Sequence, residues 1–435
     1  MIWRALLFVL VLVGPAQAEV NIKEVTSPGG ITAWLVEEPS IPFVALEIRF
    51  QGGASLDEAG KRGVTNLMMG LLEEGADDLD ARGFAEAREA LAASYSFDTT
   101  DDTVSISAEF LTENRDASVA LLRSAILNPR FDEDAIARVK GQVAASIRSD
   151  LSDPDRIAAE TYSEMVFGTH PYGSTVDGTL ESLEGITRDD LAAARLAALA
   201  KARMFIGAVG DITEAELGPL LDTLLGELPE TGAPMPDTVS YDLAGGTTVV
   251  SFEGPQSVAF FGQEGIAFED PDYFPAFLLM EILGGAGLQS RLSNEVREER
   301  GLTYSIGSFL VPKDHADLIL GTVRSSNDRS AEAIEIVRQE WARIAEDGVT
   351  AEELQRTKTY LTGAYPLRFD GNARIAGIMA SMQHTGLGLD YIPTRNDRVE
   401  AVTLEDVNRV AGELLRADDL HFVVVGEPEG LTSTN

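Results

Sequence analysis

Residues 184–191 read EGITRDDL, and residues 400–407 read EAVTLEDV, the same pattern 216 residues later (400 − 184). Two more pairs of segments recur at nearly this spacing: IGAVGD at 206–211 with FVVVGE at 422–427, and 134–140 with 352–358. Several matches at one spacing indicate an internal duplication. The spacing is about half of the 435-residue chain, so the sequence predicts two halves of similar fold.

Each half shows a similar order of elements: strand-like runs, a helix, more strands, a series of helices and a last short buried strand. The predicted strands are at 31–38, 42–50, 103–111, 204–210, 247–254, 257–265, 303–311, 317–323 and 422–427, and the predicted helices at 63–74, 115–127, 132–150, 155–167, 187–200, 271–283, 328–346 and 350–364. Strands and helices come in blocks. The predicted class is therefore α+β, with helices packed on a mostly antiparallel sheet in each half.

The segment PETGAPMPDTVSYDLAGG at 229–246 is rich in Pro, Gly and polar residues and is interpreted as an inter-domain linker. The predicted first domain covers residues 19–228 and the second covers 247–435.

The first 18 residues, MIWRALLFVLVLVGPAQA, have the pattern of a secretory signal peptide. Arg4 precedes a short apolar run, and Ala16-Gln17-Ala18 supplies the small residues of a cleavage site. We expect cleavage after Ala18, and a soluble exported protein that is periplasmic in a Gram-negative bacterium. The competing interpretation is an uncleaved anchor. The run is shorter than the roughly 20 residues that span a bilayer, and no later segment is expected to span one.

Composition excludes several classes of function. Lys and Arg number 34 against 71 Asp and Glu, a net charge of −37, so such a surface would repel nucleic acid. The chain has no Cys, which excludes disulfides, thiolate zinc sites and cysteine nucleophiles. It has four His, none with a second His at ligand spacing, and for each a structural or surface role is expected.

Three stretches resemble one known family, the two-domain M16 metallopeptidases of the insulinase and pitrilysin type, which include mitochondrial processing peptidase. They are GGASLDEAGKRGVTNLMMGLLEEG at 52–75, DPDYFPAFLLMEILGGAGLQSRLSNEVREERGLTYSIGS at 270–308, and VVVGEP at 423–428. The resemblance covers essentially the whole chain after residue 18. It implies two homologous domains of the mitochondrial-processing-peptidase type.

Active members of the family carry H-x-x-E-H on a helix of the first domain, where two His bind zinc and the Glu activates the bound water. The resemblance places Asn66 and Gly70 at the His positions and Met69 at the Glu position. The third ligand falls at Ser146, 76 residues after Gly70 (146 − 70). We therefore expect no cofactor in this chain, with zinc in a partner subunit.

The family's second active-site element, an Arg and a Tyr seven positions apart, corresponds to Arg297 and Tyr304. These side chains are expected to stabilise the substrate carbonyl in trans, because such donors bind its oxygen as negative charge develops. The alternative is that Arg297 pairs with Glu295 or Glu299 and that Tyr304 is a half-buried strand residue.

A Gly-rich segment, GGAGLQSRL at 284–292, allows two interpretations. Gly284, Gly285 and Gly287 could form a flexible substrate loop, as in the non-catalytic subunit of the mitochondrial processing enzyme. They could equally form the turn that ends a helix, where glycine is favoured.

The resemblance implies a catalytically incomplete subunit that pairs with an M16 subunit carrying H-x-x-E-H and acts on a peptide substrate. The alternative is a non-proteolytic periplasmic peptide-binding or scaffold protein on the same fold. An independently active peptidase with displaced ligands is the third hypothesis.

Overall fold

The computed structural model of the chain describes residues 21–285 and 289–434. The predicted signal peptide at 1–18 and Gly287 of the Gly-rich segment lie outside the described residues. Within the described ranges, no helix has both the length and the apolar character needed to cross a membrane.

Most of the strands belong to two large sheets, one in each half of the sequence. In chain order the strands are β1 (Lys23–Thr26), β2 (Thr32–Glu37), β3 (Phe43–Gln51), β4 (Gly75–Ala76), β5 (Leu79–Asp80), β6 (Ser94–Thr99), β7 (Thr103–Leu111), β8 (Met204–Gly210), β9 (Gly246–Ser251), β10 (Gln256–Glu264), β11 (Thr303–Pro312), β12 (Asp317–Ser326) and β13 (His421–Gly426). The short strands β4 and β5 pair with each other.

Helices fill most of the remaining sequence. They are α1 (Val64–Gly70), α2 (Ala81–Ala90), α3 (Arg115–Leu127), α4 (Glu133–Asp150), α5 (Pro154–Phe167), α6 (Leu180–Gly185), α7 (Arg188–Ala198), α8 (Glu214–Leu225), α9 (Tyr273–Gly284), α10 (Ser330–Asp347), α11 (Ala351–Ala364), α12 (Asn372–His384), α13 (Tyr391–Ala401) and α14 (Leu404–Leu414). A π-helical turn covers Ser293–Glu298. The segment between α8 and β9, which contains most of the predicted linker, has no helix or strand.

The two large sheets have the same order of five strands, and the first has one additional strand, β1, at its edge. The first reads β1-β2-β8-β3-β7-β6, and the second, taken in the equivalent direction, reads β9-β13-β10-β12-β11. In each sheet one equivalent pair is parallel, β2 with β8 and β9 with β13, while the other pairs are antiparallel. The predicted duplication of a mostly antiparallel α+β unit is confirmed.

The Thr-x-x-Asp of the duplicated motif starts a helix in each half. Before α7, the Thr187 hydroxyl accepts from the Asp190 N–H at 3.3 Å, and the Asp190 carboxylate accepts from the Thr187 N–H at 2.7 Å. Thr403 and Asp406 form the same reciprocal pair before α14, at 3.1 and 2.9 Å. These capping boxes satisfy backbone donors that a helix start leaves unpaired, which gives the repeated motif its physical reason.

The main core of each half lies between one sheet face and helices of the same half. The opposite face of each sheet is covered by a helix from the other half. Helix α5 packs on β10 and β13, where Tyr162 is buried, and α12 packs on β3 and β8, where Met379 is buried. Gly207 in β8 permits this approach, because a Cβ there would lie 2.2 Å from the Ala376 carbonyl oxygen. The halves therefore exchange one helix each.

Two hairpin turns, β6–β7 and β11–β12, meet where the halves join. The Lys313 ammonium pairs with the Asp101 carboxylate. Asp314 Oδ2 accepts from Gln51 Nε2 at 2.7 Å and lies 3.2 Å from His384 Nε2 at the end of α12. Together with the packing of the exchanged helices, these polar contacts fix how the two halves are oriented.

The start of α1 is held by a buried carboxylate. Asp57 Oδ2 accepts from the Gly63 N–H at 2.8 Å, and Oδ1 accepts from the Thr65 N–H at 3.2 Å and from its hydroxyl at 2.5 Å. Gly63 has a φ of 90°, and a Cβ there would lie 2.3 Å from the Asp177 carbonyl oxygen. This geometry sets the position of α1, which carries three of the predicted site positions.

The exchange of helices predicts that the halves unfold together. We expect Met379→Ala to lower the free energy of unfolding by about 2–5 kcal/mol, because it opens a cavity between α12 and the first sheet. Met165→Ala on α5 is the matched control, since Met165 is 37% exposed and should cost little. Calorimetry should show one transition for both variants. Separate melting of two halves in Met379→Ala would contradict the exchange.

A second prediction concerns pH. Burial raises the pKa of Asp57 from 3.8 to about 6, so the folded state holds this proton more tightly than the unfolded state does. The resulting stabilisation is complete below pH 3.8 and is lost as the pH rises through about 6. In urea unfolding, the stability of the wild type relative to Asp57→Asn should fall by about 1–3 kcal/mol between about pH 4 and 7.

The control for this measurement is Asp116→Asn, because the Asp116 side chain is 95% exposed. The stability of this variant relative to the wild type should not change over the same pH range. A pH profile of Asp57→Asn parallel to that of the wild type would show that Asp57 is not the group responsible.

Candidate functional site

Arg297 and Tyr304 lie together on the second half. Arg297 belongs to the π-helical turn, and Tyr304 lies near the start of β11, an edge strand of the second sheet. The guanidinium carbon is 5.0 Å from the centre of the Tyr304 ring, which is a cation–π arrangement. Tyr304 is 84% exposed, which contradicts the half-buried alternative. The pair presents a cation and a phenol at one place on the surface.

The alternative ion pairs of Arg297 are not formed. Glu295 and Glu299 are instead approached by Arg300, at 2.5 and 3.7 Å. Arg297 Nε lies 3.3 Å from a carboxylate oxygen of Glu298, in a partly exposed pair. Such surface pairs contribute little to stability, so this contact does not fix the guanidinium in place.

A groove of about 530 Å³ lies beside Arg297, between the end of α9 and β11. Gly284 ends α9 and Gly285 follows it. A Cβ at Gly284 would lie 2.2 Å from Ser308 Oγ in β11, and one at Gly285 would lie 2.4 Å from a carboxylate oxygen of Glu281. Close packing at a helix end thus accounts for both glycines. The substrate-loop interpretation stays a prediction.

The four positions that correspond to the family's zinc site lie on two helices. Asn66, Met69 and Gly70 are in α1, and Ser146 is in α4. Asn66 Nδ2 donates to Asp177 Oδ1 at 2.6 Å, and the Ser146 side chain lies close enough to the same carboxyl group to lower its pKa. The structure therefore places Asn66 and Ser146 beside one carboxyl group.

The other two positions differ in their surroundings. Met69 is fully buried in the core of the first half. Gly70 is exposed, and a Cβ there would meet only Val139, at an ordinary contact distance of 3.5 Å. Position 70 thus has space for a side chain but carries none.

These residues do not fit a catalytic zinc ion. Zinc in proteins takes imidazole, thiolate or carboxylate ligands, whereas the four positions offer an amide, a thioether, a glycine and a hydroxyl. Burial, with Asp150 nearby, raises the pKa of Asp177, and the neighbouring Ser146 hydroxyl opposes this rise. Across residues 21–285 and 289–434, no three His, Asp or Glu side chains are grouped as metal ligands.

The histidines mainly hold loops in place. His421 Nδ1 lies 2.8 Å from the Ala244 carbonyl oxygen, and His170 Nε2 lies 3.1 Å from that of Asp237. His315 is buried in the β11–β12 turn, with its ring centre 6.2 Å from that of His170. No local sequence pattern signals this proximity, because 145 residues separate the two histidines (315 − 170).

The structure does not bring the Arg297–Tyr304 pair into contact with the former zinc positions. The connection within the described ranges is indirect. Asp155 at the start of α5 pairs with Arg324 in β12, and the Thr303 hydroxyl, next to Tyr304, donates to the Arg324 carbonyl at 2.5 Å. The two predicted site elements therefore remain separate surfaces of one chain.

Sequence reasoning missed Asp57 and Asp177, the carboxylates that organise α1 and its neighbours. Asp57 lies in LDEAG and Asp177 in STVDG, and both segments have only the pattern of a polar turn. The partner of Asp177, Asn66, is 111 residues away in the sequence, so local pattern could not reveal it. The partners of Asp57 are only six and eight residues away, but a polar-turn pattern does not identify a buried carboxylate.

Comparisons with known proteins agree with this architecture. The family model for "Insulinase (Peptidase family M16)" matches residues 33–180, and the model for "Peptidase M16 inactive domain" matches residues 185–361. The second match begins before the predicted linker at 229–246, in the region where α6 leads into α7.

Individual relatives cover nearly the whole chain. A "non-peptidase homolog YmxG" of Helicobacter pylori is 28% identical over 89% of this chain and 90% of its own. An uncharacterized zinc protease of Mycobacterium leprae is 24% identical over 92% and 91%. The crystal structure of a peptidase M16 inactive domain from Pseudomonas fluorescens has a TM-score of 0.88 and 26% identity, and covers 95% of this chain and 100% of that chain. The chain belongs to the M16 family of peptidases, whose relatives include inactive and non-peptidase homologues.

Proposed function

We propose that this chain is the catalytically incomplete subunit of a heterodimeric M16-type zinc peptidase. In this proposal, Arg297 and Tyr304 act on a peptide held by a partner subunit that carries H-x-x-E-H. The observation that supports the proposal most directly is the exposed Arg297–Tyr304 pair, with its centroid distance of 5.0 Å. The outward position of the pair suits a role toward another molecule.

The chemistry assigned to the pair follows from its donors. When a peptide carbonyl is attacked, negative charge develops on its oxygen. A phenol O–H and a guanidinium N–H placed within hydrogen-bond distance stabilise that charge, typically by about 3 kcal/mol for one donor. Arg297 and Tyr304 can supply these two donors, and the partner would supply the metal-activated water.

Strand β11 supports the substrate-binding part of the proposal. It is an edge strand of the second sheet. It carries Tyr304 near its start and Phe309, which is 51% exposed, near its end. An outermost strand can pair with an extended peptide through backbone hydrogen bonds, while pockets beside it take side chains. In this proposal, the groove beside Arg297 takes one of these side chains.

One observation favours the alternative, a non-proteolytic peptide-binding or scaffold protein. A relative that matches over most of its length is described as a non-peptidase homologue. A scaffold has no use for paired carbonyl-stabilising donors, so the effect of removing the Tyr304 hydroxyl separates the two proposals.

We further propose that residues 1–18 direct export and that the mature protein is periplasmic in a Gram-negative cell. The support is the sequence pattern of one basic residue, a short apolar run and Ala16-Gln17-Ala18. The mature chain would begin at Glu19, which mass spectrometry of the protein recovered from the periplasmic fraction would show. Intact Met1 in that protein would contradict the cleavage.

The central test uses the complex with a zinc-bearing M16 partner, obtained by co-expression. Tyr304→Phe should lower kcat for peptide hydrolysis by on the order of 10²-fold, because one donor to the developing oxyanion is lost. Tyr360→Phe is the matched control, since Tyr360 is also exposed, at 57%, but lies on α11 outside the pair. Both variants should co-purify with the partner.

Unchanged turnover of Tyr304→Phe in an intact complex would defeat the assigned role and favour the scaffold. Equal loss of activity in both Tyr variants would indicate a general effect on the second half rather than a specific donor.

A further inference from the structure

An aromatic cavity of about 260 Å³ lies within the second half, away from Arg297 and Tyr304. It is bounded by α9, the 3₁₀ turn Tyr365–Arg368, α12 and α13. Rings from three of these elements form its walls, among them Phe277, Tyr365 and Tyr391. Cavities with aromatic walls and a few polar groups are the usual form of a small-ligand site.

A buried cation lines this cavity. Arg395 on α13 is 6% exposed. Its guanidinium carbon lies 4.6 Å from the centre of the Tyr365 ring and 5.9 Å from that of Phe277. Nη1 donates to the Leu361 carbonyl oxygen and to Asn396 Oδ1, both at 3.2 Å. No carboxylate of the described residues lies within the 4.0 Å of an ion pair with Arg395.

The charged groups around Arg395 leave it without a close anion. Glu281 on α9 interacts with it only at longer range, beyond ion-pair distance. The carbonyl end of α11, reached through Leu361, offers only a partial negative charge. A buried guanidinium has a high desolvation cost that a full anion would offset.

The charge of the cavity lining differs from that of the rest of the chain, and this difference also favours an anionic ligand. The protein carries a net charge of −37, yet the lining of this cavity contains two arginines, Arg395 and the exposed Arg368, and no Asp or Glu. Burial raises the pKa of Tyr273 and Tyr365 to about 12, so their hydroxyls stay neutral and can donate. The cavity therefore combines cationic donors with apolar walls.

We propose that this cavity binds a carboxylate carried on an aromatic or branched apolar group, as found at the C-terminal residue of a peptide. The guanidinium of Arg395 takes the carboxylate at the inner end, Arg368 approaches it from the exposed side, and the rings enclose the apolar group. Planar guanidinium matches carboxylate geometry. The site is independent of the peptidase proposal and can be tested on the single chain.

The first experiment titrates the purified chain with N-acetyl-L-phenylalanine and, separately, with its carboxamide, using calorimetry. The carboxylate should bind with a Kd of about 1 mM or tighter, as expected for a ligand of this size. The amide should bind at least about 10-fold more weakly, because it lacks the charge that Arg395 requires. Equal binding of both compounds, or binding of neither, would overturn the proposal.

The second experiment uses variants. Arg368→Gln should weaken carboxylate binding by about 5- to 10-fold, whereas Arg374→Gln, an exposed arginine on α12 outside the lining, should not change it. Ser381→Phe should block the cavity and abolish binding. Arg395→Lys tests whether binding needs the guanidinium at the buried position, and circular dichroism establishes that this variant is folded. Binding that is unchanged in both Arg368→Gln and Ser381→Phe would place the ligand elsewhere and refute the site.

The source of the carboxylate is distinguished with two further ligands. A hexapeptide ending in Phe with a free carboxyl group should bind more tightly than 3-phenylpropionate if the site takes peptide C-termini. Tighter binding of 3-phenylpropionate would assign the cavity to small aromatic acids. Both results keep the shared carboxylate chemistry, and competition by N-acetyl-L-phenylalanine should displace either ligand. Failure of that competition would contradict a common site.

Discussion

The exchange of α5 and α12 is the constraint on which the rest of the structure depends. Each of these helices packs on the open face of the other half's sheet, and Tyr162 and Met379 are buried at these two contacts. Neither half buries both faces of its sheet without the other. Because a closely packed interior resists small displacements, the exchange also fixes where α1 and β11 lie. The candidate surfaces of the protein are thus held by one interlocked scaffold, whatever chemistry they retain.

That scaffold explains how the metal-binding side chains can be absent without loss of the fold. Hydrogen bonds hold the helix that carries most of the positions corresponding to the family's zinc site: Asp57 binds the start of α1, and Asp177 accepts from Asn66. The Arg297–Tyr304 pair, by contrast, makes no contribution to a core. Packing and stability do not account for its exposed position, whereas contact with another molecule does. The first half therefore lacks the side chains of the family's zinc site, whereas the second half retains the Arg297–Tyr304 pair.

Much of this fold was readable from the sequence. The repeat spacing gave the duplication, and the strand and helix patterns gave most of the elements of both sheets. Helix α12 was missed because the small and apolar residues of NARIAGIMASMQH give no clear polar face, as expected for a helix that covers a sheet. Helix α8 was missed because Pro219 lies inside it. The exchange itself, the role of Asp177 and the environment of Arg395 depend on contacts distant in sequence, and no local pattern encodes them.

The most direct test of the central claim is the zinc content of the isolated chain after dialysis against excess zinc, measured by mass spectrometry. A variant with Asn66→His, Gly70→His and Ser146→Glu serves as the comparison, because it restores ligands at the positions that the family uses. We expect less than about 0.1 equivalent of zinc in the wild type and close to one equivalent in the variant. One equivalent of zinc in the wild type, bound near Asn66 and accompanied by peptide hydrolysis without a partner, would contradict the account.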